Sequence, residues 1–244
     1  MSTANGEREL QNSSRAMAGS DLKSAHKTKV LLIYPPATVR GLDPTTPSAV
    51  PVLGLGYIGA VLENEGFDVR IFDTLALGID RGPYAPNYAP DLIKTRQLGA
   101  GQVVRFGLPE DEIRAYIADF RPDLVGIQAM FTAFVYDALD TAEIAKQVDP
   151  NVPVIMGGAH ASVSAKQLLA NPNVDLVCKG EGEITMLELA NAIASGNDTN
   201  SILGTYCRDD NGDLNFNGDR PYVSDLDTLP FPARHLMPMD IYIR

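Results

Sequence analysis

The sequence predicts a doubly wound α/β fold, in which a parallel sheet is covered by helices on both faces. Five short apolar runs lie between Lys29 and Gly180, and helical segments follow them in alternation. Continuous apolar runs are typical of strands buried on both faces of a parallel sheet. Alternation implies right-handed crossovers, so we expect the flavodoxin-like (Rossmann-like) strand order 2-1-3-4-5.

Each element has its own signal in the sequence. The predicted strands are KVLLIYPP, DVRIFDT, DLVGIQAMF, VPVIMGG and VDLVCKG. The predicted helices are LGLGYIGAVLENEGF, PEDEIRAYIADF, VYDALDTAEIAKQV, SAKQLLAN and EITMLELANAIAS. Pro109 and three acids favour the start of the second helix, and Gly66 and Gly196 end the first and the fifth.

The remaining segments divide the chain. Residues 1–28 are polar and lack a sustained period, which predicts a disordered leader before a ligand-binding domain at 29–200. Residues 201–244 are predicted to form a C-terminal β-hairpin, with its turn at Asp210-Asn211-Gly212, and a Pro-rich linker. Residues 75–108 are predicted to be one long loop, of the kind that serves as a lid or an insertion.

Composition excludes several classes of function. The chain has 244 residues and a net charge of -11, which argues against a nucleic-acid partner and against an anionic membrane surface. Two cysteines, Cys178 and Cys207, are too few for a disulfide scaffold and are not spaced as a metal motif, so we expect a cytoplasmic protein. No run reaches the ~20 apolar residues that a membrane helix needs.

One motif imitates a dinucleotide-binding fingerprint. Residues 54–59 read GLGYIG, a G-x-G-x-x-G, and Asp73 ends the next strand. The fingerprint requires a tight turn directly after the first strand, but residues 37–53 intervene here. Gly56 and Gly59 then fall inside a helix, where close packing is the more common role of glycine.

Glycines concentrate where the fourth and fifth strands end. Gly157 and Gly158 follow one strand, and Gly180 and Gly182 follow the next. Glycine lets a ligand press against backbone, and ligands of this fold class bind beyond the carboxyl ends of the strands. The sequence therefore predicts a broad ligand along this edge of the sheet.

The order of six segments along the chain is informative: LLIYPP, LGLGYIGAVLENEGFDV, DLVGIQAMFT, VPVIMGGAHAS, VDLVCKGEGE and LDTLPFPAR. In this order they resemble the cobalamin-binding domain at the N-terminus of cobalamin-dependent radical S-adenosylmethionine enzymes, over about residues 29–240. The resemblance implies cobalamin as the cofactor.

The motif of the wider cobalamin-binding fold is only partly present. Gln128-Ala129-Met130 stands in place of S-x-L, and the 26 residues 131–156 separate it from the Gly157-Gly158 pair, as in that fold. The D-x-H-x-x-G element is missing, because residues 35–53 contain no histidine. The resemblance then implies base-off cobalamin without a histidine from that loop on cobalt. It places the nucleotide tail beside the strand-end glycines and the corrin on the first and third loops.

The resemblance and the strand ends together give a set of candidate cofactor-binding residues. Each has a structural alternative: the glycines as turns, His160 as a cap or a backbone partner, the two glutamates as helix-start acids, and the aromatic residues as core. The candidates are Pro36, Leu53, Gly54, Gln128, Met130, Phe131, Thr132, Tyr136, Gly157, Gly158, His160, Ser162, Gly180, Glu181, Gly182 and Glu183.

The sequence assigns no catalytic residue and no metal ligand. A radical S-adenosylmethionine enzyme holds its iron–sulfur cluster with three cysteines of a CxxxCxxC motif, which these residues lack. We expect a cofactor module whose methyl-transfer chemistry, S-adenosylmethionine and iron–sulfur cluster would belong to a further domain, in cis or in trans. A self-contained cobalamin carrier or sensor is one alternative. A nicotinamide- or flavin-binding oxidoreductase domain that uses Gly54 to Gly59 is the other.

Overall fold

The computed structural model describes residues 27–40, 49–80, 94–98, 101–209 and 211–243, so the predicted leader lies outside it up to residue 26. The strands are β1 (Lys29–Tyr34), β2 (Ala37–Arg40), β3 (Asp68–Asp73), β4 (Lys94–Leu98), β5 (Gly101–Phe106), β6 (Leu124–Gln128), β7 (Val154–Gly157), β8 (Leu176–Cys178), β9 (Thr205–Arg208) and β10 (Leu214–Phe216). The helices are α1 (Leu53–Asn64), α2 (Thr74–Ile79), α3 (Glu110–Phe120), α4 (Val135–Val148), α5 (Ala159–Val163), α6 (Ala165–Leu169), α7 (Glu183–Ser195) and α8 (Met239–Tyr242).

The main sheet has the predicted class and is larger than predicted. Its order is β10-β9-β8-β7-β6-β1-β3. The five parallel strands β3-β1-β6-β7-β8 have the predicted order 2-1-3-4-5. Strands β9 and β10 are the predicted hairpin, and they pair antiparallel beyond β8, so the sheet has seven strands and not five.

Each face of the main sheet carries its own core. On one face α3, α4, α5 and α6 bury side chains such as Ile117, Ala142 and Leu168 against β1, β6 and β7. On the other face α1 and α7 bury Leu62, Met186 and Leu189. Because successive parallel strands are joined by right-handed crossovers, α1 and α7 lie on the face opposite α3, α4, α5 and α6.

The region predicted as one long loop contains regular structure. Helix α2 follows β3 directly, and β4 and β5 form a hairpin that joins β2 in a second, antiparallel sheet of order β2-β5-β4. The single-loop prediction was therefore wrong. Its sequence carries a weak signal, because β2 and β5 are short and more than sixty residues apart.

A buried carboxylate fastens the second sheet to α4. Asp137 accepts hydrogen bonds from the backbone N–H and the hydroxyl of Thr38, both at 2.8 Å, and pairs with Arg105 Nε at 3.3 Å. The Arg105 guanidinium also donates to the Leu108 carbonyl at 3.2 Å. Asp137 and Arg105 are both buried, so the ion pair fixes where β2 and β5 sit on α4.

The segment predicted as a linker packs on α1. Ala233 N–H donates to the Gly56 carbonyl at 2.9 Å, and a Cβ on Gly56 would stand 2.9 Å from Met237 Cε and 3.0 Å from Pro232 Cβ. A Cβ on Gly59 would meet Leu236 at 3.4 Å. These two glycines of the GLGYIG motif therefore make room for the C-terminal segment, here called the tail of the chain, to pack on α1. They do not form a turn after β1.

The C-terminal segment makes a hydrogen bond to Asp73 at the carboxyl end of the edge strand β3. Tyr242 Oη donates to Asp73 Oδ2 at 2.6 Å, while Asp73 Oδ1 accepts from the Ala76 N–H and caps α2. Burial raises the pKa of Asp73, and burial beside this carboxylate raises the pKa of Tyr242.

None of the described helices is long and apolar enough to cross a membrane.

We predict that Gly56→Leu detaches the tail, whereas Gly54→Leu on the same helix does not. A Cβ on Gly54 meets nothing within 4 Å. We expect Gly56→Leu to lower the free energy of unfolding by about 1–3 kcal/mol, since it overpacks a filled contact. Trypsin cleavage after Arg234 should accelerate in Gly56→Leu alone, and equal cleavage rates in both variants would contradict the role of Gly56.

Candidate functional site

A pocket of about 190 Å³ opens at the carboxyl ends of the parallel strands, between the sheet and helices α1 and α7. It is lined by Leu32, Gly54, Leu55, Ile58, Gly126, Ile127, Gln128, Met130, Ile155, Gly157, Gly158, Cys178, Gly180, Glu181, Gly182, Glu183 and Met186. Nine of the sequence candidates meet here: Gly54, Gln128, Met130, Gly157, Gly158, Gly180, Glu181, Gly182 and Glu183.

The floor of the pocket depends on a missing side chain in the central strand. Gly126 of β6 lies in register with Leu32 of β1 and Ile155 of β7. A Cβ on Gly126 would stand 3.0 Å from Leu32 Cδ2 and 3.2 Å from Met186 Cε. Leu32 and Met186 therefore already pack over this strand, and glycine leaves room for them at the floor of the pocket.

The rim of the pocket is made of backbone held by a serine. Ser162 Oγ donates to the Gly158 carbonyl at 3.0 Å and accepts from the Gly180 N–H at 3.1 Å. The hydroxyl thus ties the turn after β7 to the turn after β8. Ser162 itself does not line the pocket, so its role is to hold the two glycine turns in place.

The backbone conformation and the close neighbours of Gly158 require glycine, whether or not a ligand is bound. Its φ is +113°, and a Cβ would stand 2.9 Å from the Ala129 carbonyl oxygen. The residue before it differs, because a Cβ on Gly157 would stand 3.6 Å from Cys178 Cβ, an ordinary contact. Gly157 is therefore the better position at which to probe the pocket.

The polar groups of the pocket lie at the level of the rim. Gln128 is in register with Gly157, and its Oε1 is buried without a hydrogen-bond partner in the described parts of the chain. Burial raises the pKa of Cys178 to about 11, so this thiol is neutral at physiological pH. Glu181 Oε2 accepts from the Val223 N–H at 2.8 Å.

A second, shallow cleft lies beside the pocket where β1 and β6 end. It is lined by Tyr34, Pro35, Pro36, Ala37, Gln128, Ala129, Met130, Phe131 and Phe134. Phe131 is 55% exposed and packs edge-to-face on Phe134, with ring centroids 5.9 Å apart. Gln128 and Met130 belong to both hollows, so pocket and cleft adjoin.

Five candidates line neither hollow: Leu53, Thr132, Tyr136, His160 and Ser162. His160 lies in α5, which the sequence did not predict as a separate helix, and it is 4% exposed. Its Nδ1 is hydrogen-bonded to Thr132 Oγ1 at 3.0 Å, and its Nε2 has no partner among the described residues. Leu53 and Tyr136 are exposed on the first turns of α1 and α4.

Sequence reasoning missed the floor and one side wall of the pocket. In the sequence, these positions have the pattern of ordinary core residues of three strands and two helices: Leu32, Leu55, Ile58, Gly126, Ile155 and Met186. The signal that was available is Gly126, since glycine inside a buried strand marks a close approach.

Comparison with known proteins identifies the domain. The profile of the B12 binding domain family matches residues 40–190. The chain belongs to the B12-binding domain family. The prediction of cobalamin as the cofactor is confirmed at this level.

Two curated relatives are methyltransferases by name. The chain is 33% identical over 215 residues to an uncharacterized methyltransferase, PH0819, of Pyrococcus horikoshii, covering 88% of this chain and 40% of that protein. It is 32% identical over 234 residues to cytidylyl-2-hydroxyethylphosphonate methyltransferase of Streptomyces wedmorensis, covering 88% and 41%. The chain thus spans about two-fifths of these relatives.

Solved structures share the fold. The radical S-adenosylmethionine methyltransferase TsrM of Kitasatospora setae, with cobalamin and a [4Fe-4S] cluster bound, superposes with a TM-score of 0.57 at 21% identity, covering 84% of this chain and 31% of that one. The cobalamin-dependent radical enzyme OxsB gives a TM-score of 0.63 at 16% identity, covering 90% and 25%. The predicted resemblance is confirmed, and the chain is a cobalamin-binding domain related to cobalamin-dependent radical S-adenosylmethionine methyltransferases.

We predict that Gly158→Ala destabilises the domain by about 1–3 kcal/mol, because alanine must adopt a positive φ against a backbone oxygen. Gly157→Ala should cost less than about 1 kcal/mol, since its new methyl makes an ordinary contact. Urea unfolding of both variants measures the difference. Equal destabilisation would mean that the turn after β7 relaxes freely.

Proposed function

We propose that the pocket between the sheet and helices α1 and α7 receives the nucleotide tail of a base-off cobamide. The observation that carries this proposal is the pocket itself, which opens at the glycine-rich strand ends and is floored by Gly126. The lining near the floor is apolar, which suits a flat aromatic base. The family match supports the cofactor class independently of the pocket.

The residues at the mouth fit the polar part of such a tail. Gln128 Oε1 is buried and unpartnered within the described chain, so it offers an acceptor to a ligand hydroxyl or amide. The glycines of the two turns let the ligand approach the backbone, and Ser162 holds these turns together. The residues present therefore fit the cofactor.

We propose further that no protein histidine from the loop after β1 binds cobalt. Residues 35–53 contain no histidine, methionine or cysteine, and prolines, threonines and apolar residues are poor ligands for cobalt. Among the side chains that line the cleft where β1 and β6 end, Pro36, Met130 and Phe131 form an apolar shelf beside the pocket. This shelf supports the placement of the corrin there.

The bound cofactor would supply a cobalt that carries a methyl group. The chain's own residues bind the cofactor, orient it and exclude water from its tail. Methyl transfer in a radical S-adenosylmethionine enzyme also needs an iron–sulfur cluster, and the chain's two cysteines, both buried, do not hold one. We propose that cluster and S-adenosylmethionine are bound by a further domain, in cis or in trans.

We predict that the purified chain retains hydroxocobalamin through gel filtration, with visible absorbance in the protein fraction. Gly157→Val should weaken binding at least about tenfold, or ~1.4 kcal/mol, because its side chain enters the pocket. Circular dichroism and thermal unfolding control for the fold. A colourless protein that retains NAD or FMN would refute the proposal and favour an oxidoreductase domain.

We predict that the bound Co(II) form lacks axial nitrogen splitting in electron paramagnetic resonance. An axial nitrogen splits each cobalt line into three, and the proposed site presents no nitrogen from the loop after β1. Splitting that persists with a cobamide lacking a basic lower base, and disappears in His160→Ala, would make His160 the ligand. That result would contradict the observed position of His160, which is buried, hydrogen-bonded to Thr132 and outside both the pocket and the cleft.

A further inference from the structure

We infer that the pocket selects cobamides by the chemistry of their lower base, preferring benzimidazole- or phenol-type bases to purine-type bases. This inference rests on the proposed function, since it assumes that the tail enters the pocket. It is carried by the layered chemistry of the lining, which is apolar at the floor and polar at the rim.

The floor offers no hydrogen-bonding side chain. Leu32, Gly126 and Ile155 lie side by side on β1, β6 and β7, and their backbone groups belong to the sheet. Met186 of α7 closes the space from above, with its Cε 3.2 Å from where a Gly126 Cβ would stand. Leu32 and Ile155 are 1% exposed and Met186 is 4% exposed, so little of the floor is in contact with solvent.

The polar side chains stand one layer nearer the mouth. Gln128 and Gly157 are in register two residues beyond Gly126 and Ile155 along their strands. Cys178 stands beside Gly157, with its Cβ 3.6 Å from where a Gly157 Cβ would be. Glu181 is engaged by the Val223 N–H. A ligand group that enters deeper than this layer no longer has a polar side chain within hydrogen-bonding distance.

The base is the last group of a cobamide tail, beyond the phosphate and the ribose, and therefore reaches deepest. A purine base carries ring nitrogens and, in adenine, an amino group, and these lose water at the floor without gaining a partner. A dimethylbenzimidazole or a cresol presents hydrocarbon to the same surface. An apolar site discriminates against a ligand that adds a polar group by roughly a hundredfold at most, and the preference expected here lies within that range.

The experiment compares four ligands on the full chain by isothermal titration: cobalamin, cresolylcobamide, adeninylcobamide and cobinamide, which has no nucleotide tail. We expect cobalamin and cresolylcobamide to bind at least about tenfold more tightly than adeninylcobamide. Equal affinity for adeninylcobamide and cobalamin would overturn the inference and leave the cobamide site intact. Failure of all four ligands to bind would refute the proposed function itself.

Cobinamide tests whether the nucleotide tail contributes to binding. We expect it to bind more weakly than cobalamin, since it cannot fill the pocket. Cobinamide affinity equal to that of every cobamide would overturn the inference, because the base would then contribute nothing.

A pair of variants on α7 tests the floor directly. Met186→Gln introduces an amide of similar volume, and we expect the preference for cobalamin over adeninylcobamide to fall at least about threefold. Leu187→Gln is the control, because Leu187 neighbours Met186 on α7 but does not line the pocket. An unchanged preference in a folded Met186→Gln would overturn the assignment of selectivity to the floor. If Met186→Gln fails to fold, the wild-type comparison decides alone.

Discussion

The arrangement of the site depends on the distance between a parallel sheet and the two helices that cover one of its faces. Gly126 permits a short distance, because a single methyl group at this position would press against both Leu32 and Met186. Protein interiors are close-packed, so a slot of this kind persists only where a side chain is missing and the surrounding elements cannot collapse. Here the sheet ladder and the packing of α1 and α7 keep the walls apart.

The electrostatic character of the domain differs between its two edges. At the second sheet, Asp137 is a buried charge that is fully used by Thr38 and Arg105. At the pocket, the described polar groups are a neutral thiol, an amide, backbone at glycines and the carboxylates of Glu181 and Glu183. A buried ion pair thus attaches the added element, whereas carboxylates, an amide and a thiol share the lining of the pocket.

The parallel strands could be predicted from the sequence because each is a continuous apolar run bounded by glycine, proline or acids. The second sheet could not, since Ala37–Arg40 and Gly101–Phe106 pair across a long separation and neither shows clear alternation. The glycine rim was visible as a cluster at strand ends. The floor was not, because Leu32 and Ile155 carry the same pattern as any core residue. His160 attracted attention as one of three histidines, yet it lies buried behind Thr132.

Helix α1 has two working surfaces, and this has a thermodynamic consequence. Leu55 and Ile58 face the pocket, while Gly56 and Gly59 receive the tail that ends at Tyr242. A ligand that displaces α1 by a few tenths of an ångström changes the free energy of tail docking, because Gly56 has no spare room. Linkage makes this coupling reciprocal: whatever pulls on the tail alters the affinity of the pocket by the same factor. The docked C-terminal segment and the pocket lining thus share one helix, so a displacement of α1 would be felt at both.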